Sequence, residues 1–184
     1  MNSNETIIGI LLLLPPSVDI QMREFSKQLN QGNEDPEIQL ADKTRAHITL
    51  VHAYVDGNDI IDIQEYLSKN SNAIEPLSLI CSEFKEKVEE GVKDTAMVVN
   101  KTTPLQLLHE DVTKKLLSLN MKLTNHQEKF SFANFFPHIT LAVDSHNQIS
   151  IEKPINFVAD TIALGRMGHY GTCQEIIKSW KLNK

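Results

Sequence analysis

The sequence predicts a mixed α+β fold built on a duplicated unit. Three observations carry this. Apolar runs of strand length outnumber helical stripes. The two do not alternate one for one, which argues against a doubly wound parallel sheet. A four-residue string, HITL, occurs twice, at His47 and at His138, about half the chain length apart. Each copy falls in a predicted strand with a helix upstream, as a duplicated unit would place it.

The elements follow in order. An apolar run from Thr6 to Leu14 reads as a buried strand that stops at Pro15-Pro16. Ser17 is the expected cap of a helix whose Val18, Met22, Phe25 and Leu29 fall at helical spacing, with Gly32 and Asn33 ending it. A polar loop leads to a strand over Ala46 to Val55. Asp56-Gly57-Asn58 reads as a turn. A second helix presents Ile60, Ile63 and Leu67. Two strands, Leu77 to Lys87 and Thr95 to Asn100, are joined by a turn at Glu89-Glu90-Gly91. Thr103, Pro104 and Gln106 read as a capping box opening a core-facing helix with Leu105, Leu108, Val112, Leu116 and Leu119. Strands over Phe136 to Val143, Asp160 to Arg166 and Thr172 to Trp180 complete the set. Gly165, Gly168 and Gly171 punctuate the last bend.

Length and composition bound the function. A chain of 184 residues with no evident linker fits a single domain over 1–184 or two lobes sharing one body. It can hide roughly 70% of its extended surface without staples. Apolar residues at 41% and charged residues at 23% exclude collagen-like, coiled-coil and disordered classes. The 18 Lys and Arg against 24 Asp and Glu give a net charge of −6, which argues against a long nucleic-acid track. A small phosphorylated ligand or an RNA end remains compatible. Cys81 and Cys173 stand far apart, in neither a disulfide nor a zinc pattern. No apolar run reaches membrane-span length, and MNSNET does not resemble a signal peptide. A cytoplasmic monomer without cofactor is expected.

The tetrads carry the chemistry. Strand alternation puts His47 and Thr49 on one face and Ile48 and Leu50 on the other, and His138 and Thr140 likewise. If the halves are related by a two-fold, two imidazoles and two hydroxyls meet across a groove. Near neutrality one imidazole takes a proton from an attacking water and the other protonates a departing ribose oxygen. Threonine hydroxyls stabilise charge on non-bridging phosphate oxygens. No H-x-H, H-E-x-x-H or carboxylate accompanies either tetrad, so a metal site is not expected.

With these motifs the chain resembles the two-histidine (2H) phosphoesterase superfamily, which includes bacterial 2′-5′ RNA ligase-like proteins and cyclic nucleotide phosphodiesterases. That family carries two H-x-[TS]-x motifs, one per half. The second copy here lies in FANFFPHITLAV, an aromatic-rich, proline-preceded context similar to the family's; the first has Ala46 where proline is common. The tail IALGRMGHYGTCQEII also resembles the family's closing hairpin. The resemblance implies a bilobal α+β fold with pseudo-two-fold antiparallel sheets and flanking helices around a central cleft. It implies metal-independent phosphodiesterase chemistry on 2′,3′-cyclic phosphates of nucleotides or RNA ends, with His47 and His138 as the acid/base pair and Thr49 and Thr140 holding phosphate. The alternatives are a 2′-5′ phosphodiesterase or RNA ligase, a nucleotide-binding module without catalysis, and a structural domain.

Arg166 and Tyr170, in the closing bend, are candidates to pair with phosphate and to stack on a base. Of Phe132, Phe135 and Phe136, most are expected in the core, with one available to the cleft. His52, His109, His126, His146 and His169 read as solvated or structural. Uninterrupted alternation would turn His52 away from Thr49.

Overall fold

The computed structural model describes residues 6–41, 44–89, 91–145 and 147–183. Its strands are β1 (Thr6–Leu13), β2 (His47–Val55), β3 (Leu77–Glu89), β4 (Val92–Val99), β5 (Lys122–Leu123), β6 (His138–Val143), β7 (Ile155–Ala159), β8 (Thr161–Met167) and β9 (Cys173–Lys181). Its α-helices are α1 (Pro16–Leu29), α2 (Gly57–Asn70), α3 (Thr103–Ser118) and α4 (Asn125–Lys129). The strands form two antiparallel sheets, ordered β5-β2-β1-β8-β9 and β6-β4-β3-β7. Each motif strand pairs along one side with a single long strand, β2 with β1 and β6 with β4. The architecture is the bilobal, pseudo-two-fold α+β arrangement the sequence predicts.

The lobes are not the halves of the chain. β3 leaves the first half to join the second sheet, and β8 and β9 return from the second half to the first. The helices cross over too: α3 packs on β2, and α1 packs on β6. One apolar cluster draws on both sheets, including Ile8, Ile10 and Leu12 of β1, Ile48 and Leu50 of β2, Met97 and Val99 of β4, and Ile139 and Leu141 of β6. Burial of these alternating residues is what turns the polar members of each tetrad outward.

Several local expectations need correction. Ser17 does not cap α1: Pro15 stands at the cap position and makes no side-chain hydrogen bond. Proline's fixed φ starts the helix here. The Asp56 turn is the capping box of α2, with the Asp56 carboxylate accepting from the Asn58 and Asp59 backbone N–H groups and Asp59 accepting in return from Asp56. For α3 the cap is Thr102, whose hydroxyl accepts from Leu105 N–H. Gln106 instead donates to Glu110 and to the Phe132 carbonyl. The β3–β4 hairpin extends beyond the expected strand ends; Glu90 of its turn lies outside the described residues. The sequence reading missed β5, α4 and β7.

Candidate active site

Each tetrad is set by its sheet in the same way. Asp19, buried in α1, accepts the Ala46 N–H at 3.2 Å and fixes the entry to β2. The His47 Nδ1–H donates to the Arg45 carbonyl at 2.9 Å, and the His138 Nδ1–H donates to the Phe136 carbonyl at 2.8 Å. In both cases the acceptor stands two residues before the histidine. Tying Nδ1–H to a carbonyl leaves Nε2 as the unprotonated nitrogen of the neutral ring, ready to accept a proton.

Immediately after each tetrad threonine the strand bulges. In β2 the pairing steps from Thr49↔Leu11 to Val51↔Ile10, so Leu50 is the extra residue. In β6 it steps from Thr140↔Ala96 to Ala142↔Thr95, so Leu141 is extra. The carbonyls of both extra residues are taken by helix side chains. The His109 Nδ1–H of α3 donates to Leu50 O at 2.6 Å, and Ser26 Oγ of α1 donates to Leu141 O at 2.7 Å. His109 Nε2 accepts from Phe132 N–H at 2.9 Å, and its ring stacks on Phe135 at 4.0 Å between centroids. His109 is therefore structural, as expected.

The bulge reverses the expectation for His52. Two successive inward residues, Leu50 and Val51, shift the alternation by one, and His52 returns to the face of His47 and Thr49. Its Nε2 lies 3.5 Å from the Thr49 hydroxyl oxygen.

The motif strands pack against each other where the two sheets meet. Their histidines feel one another. Burial lowers the pKa of His138, and charges on His126, Lys87 and His47 lower it further, against a rise from the Phe136 carbonyl. Burial also lowers His47, while the Arg45 and Gly171 carbonyls oppose that shift. His52 is pushed down to about 3 by burial and then by His47, His126 and His138. His47, His52 and His138 are each half-buried as residues.

The walls differ. Beside the first tetrad, Gly9 faces Gly165 across β1 and β8, over a small apolar cluster of Leu11, Met167 and Cys173. Beside the second, register places Lys85 in line with Ala96 and Thr140. Lys85 Nζ lies 5.2 Å from the Phe136 ring, which stacks on His138 at 5.4 Å. Of the three phenylalanines, Phe136 is the one whose ring meets a tetrad histidine. Lys87 Nζ sits 3.8 Å from the Phe130 ring, which also meets His126.

The closing bend bears on the site through its backbone. Tyr170 and Gly171 both have positive φ, 53° and 69°. This turns the Gly171 carbonyl toward the His47 ring. Tyr170 itself is exposed beside this contact. Arg166 stands apart. It pairs with Ile8 on the core side of its sheet, and its guanidinium meets Glu175 at 3.2 Å. His169 is exposed, and His146 lies outside the described residues.

Among the described residues, no three His, Cys, Asp or Glu side chains are placed to hold a metal ion, and no helix is long and apolar enough to cross a membrane. A separate cavity of about 380 Å³ opens at the end of α1, lined by Glu24, Lys27 and Gln39 among others, and no tetrad residue lines it.

The sequence matches no family model and no curated protein. Solved structures do match. Escherichia coli LigT complexed with 3′-AMP superposes with a TM-score of 0.66 at 17% identity, over 99% of this chain and 100% of that one. The protein TT0787 of Thermus thermophilus gives 0.61 at 15%, over 96% and 97%. A structure described as a phosphoesterase gives 0.58 at 16%, over 98% and 100%. From end to end, the chain has the LigT-like phosphoesterase fold that its paired tetrads imply.

Proposed function

We propose that the protein is a phosphodiesterase that opens 2′,3′-cyclic phosphates of nucleotides or RNA ends by paired-histidine acid/base catalysis. The observation that carries this is the equivalence of the two tetrads. Both histidines have Nδ1–H tied to the carbonyl two residues back, both threonines share their histidine's face, and the two strands meet where the sheets join. The LigT-like fold supports the reading, and so does the 3′-AMP held by the E. coli protein.

In the proposed reaction one neutral imidazole takes a proton from water as the water oxygen bonds to phosphorus. The bond from phosphorus to one ribose oxygen breaks. The opposite imidazolium gives that oxygen its proton, leaving a ribose hydroxyl and a phosphomonoester. The pair ends with its proton moved from one ring to the other, and exchange with solvent restores it. Thr49 and Thr140 donate hydrogen bonds to the non-bridging oxygens. Tyr170 is the candidate to stack on the base. Arg166, a candidate to pair with phosphate, would first have to leave its exposed ion pair with Glu175. The same groups serve a 2′-5′ linkage, or ligation if an RNA 5′-hydroxyl replaces water.

The test is turnover of the four nucleoside 2′,3′-cyclic monophosphates and a 2′-5′ dinucleotide, with chelator, for wild type and His47→Ala/His138→Ala. Chelator-resistant turnover lost in the double variant is expected. Turnover equal in both proteins would overturn the mechanism. Nucleotide binding without turnover in either would point to a binding module.

A further inference from the structure

The motif strands match through tetrad and bulge and part immediately afterwards. The position equivalent to His52 in β2 is Val143 in β6. This third histidine in the cleft has no counterpart, and the acid/base scheme gives it no task.

Its setting is built. A methyl group on Gly9 would lie 3.0 Å from His52 Cδ2, and one on Gly171 would lie 3.3 Å from Cε1, so two glycines make room for the ring. The backbone is held at both polar groups. His52 N–H donates to Gln127 Oε1 at 3.1 Å, and Thr124 N–H donates to the His52 carbonyl at 3.3 Å. Gln127 is buried and itself fixed, its amide donating to Ser131 Oγ at 3.1 Å and its backbone N–H to Thr124 Oγ1 at 3.3 Å. This scaffold points Nε2 at the Thr49 hydroxyl, 3.5 Å away.

We propose that His52 is a positioning residue, whose Nε2–H occupies a lone pair of Thr49 Oγ1 and so aims the hydroxyl proton at the phosphate. The inference rests on the phosphate-holding role given to Thr49 above. A threonine hydroxyl has one proton and two lone pairs. If that proton goes to a neighbour, it is lost to the substrate; if a donor fills a lone pair, the proton is left free and the rotor is set. Held neutral far below neutrality, the His52 ring keeps one N–H to give and does not compete as an acid. Val143 holds the sequence position in β6 that His52 holds in β2 and has no donor to offer Thr140, so the two hydroxyls are unequal.

Two measurements test this. The first is a kinetic cycle with His52→Val, His52→Gln, Thr49→Ala and His52→Val/Thr49→Ala, on the best substrate of the wild type. His52→Val should lower kcat by about tenfold with little change in KM, since a misplaced group can cost up to ~10²-fold. His52→Gln, which keeps a nitrogen donor at that reach, should recover most of the loss. The double variant should match Thr49→Ala alone, because the histidine acts only through that hydroxyl. A Thr49→Ala defect with His52→Val near wild type, or losses that multiply, would overturn the inference and leave the phosphodiesterase reading standing. The second is nitrogen-15 NMR of the imidazoles in the substrate-free protein, which needs no turnover. A neutral Nε2–H tautomer for His52 at pH 6 is expected. An Nδ1–H tautomer or a charged ring would refute the proposal even if the wild type proved inert on every substrate.

Discussion

A histidine at this site is less basic than a histidine in water, and that sets the pH range in which the proposed reaction would run. Burial is the leading cause for both His47 and His138, and a charge on His47 lowers His138 further. The proposed acid/base pair needs one proton. With both pKa values below 6.5, the singly protonated free enzyme is most populated on the acid side of that value. The kcat/KM profile, which reports free enzyme, should therefore be a bell centred below about pH 6.5. Bound phosphate is anionic and favours imidazolium, so the limbs of kcat should move upward. A kcat/KM optimum well above about 7 would contradict this. Thr49→Ala and Thr140→Ala should each lower kcat by up to ~10³, the range for losing one donor to developing charge. They should cost less than His47→Ala or His138→Ala, as rate measurements on the four variants would show. The shared face of His47 with Thr49, and of His138 with Thr140, was legible because alternation within each strand gives it. His52 was not, because that alternation was carried unbroken past Leu50.

At the scale of the element, the bulges decide what the motif strands present. Their signal was in the sequence. HITLVHAYV alternates until Leu50-Val51, two apolar residues together, and then resumes in opposite phase; HITLAV slips at Leu141-Ala142. Each bulge frees a carbonyl that a buried helix side chain takes up, His109 in one lobe and Ser26 in the other. Leaving such a group unpaired costs about 1–3 kcal/mol. His109→Leu and Ser26→Ala should each lower Tm by several degrees, at roughly 2–4 °C per kcal/mol for a chain this size. An unchanged Tm would mean the carbonyl finds another partner. Other local features were harder to read. β7 is only five residues and β5 only two, too short for periodicity to mark. The start of α3 was misplaced by one because Thr102 and Thr103 are both competent caps, and only the backbone shows which hydroxyl faces Leu105 N–H.

For the whole molecule, the duplicated unit was legible from the repeat, but its interleaving was not. No local pattern says that β3 joins the sheet of β6, or that α1 covers β6 and not β2. That choice is made by which apolar faces fit. Because the core runs through both sheets, thermal and denaturant unfolding should follow one transition by every probe. Two separable transitions would refute a common core. Stability should also fall in acid. His47, His52, His109 and His138 all have pKa values lowered by burial, so the unfolded chain binds protons that the folded one refuses. Above about pH 6.5 the contribution is complete. It is lost progressively as pH drops through the folded values, down to about 3 for His52. Denaturant titrations from neutrality into mild acid would measure the slope.

The crossed helices and exchanged strands give the molecule the form of two intertwined partners fused into one chain. β1–α1–β2 corresponds to β4–α3–β6; each unit lends the other its helix, the first also lends β3, and the second lends β5, β8 and β9. Severing the chain at the β3–β4 turn would therefore yield two pieces, neither holding a complete sheet. Each should be unfolded alone, and mixing them should reconstitute the site, since the packing of α3 on β2, of α1 on β6 and of β2 on β6 is all made between the pieces.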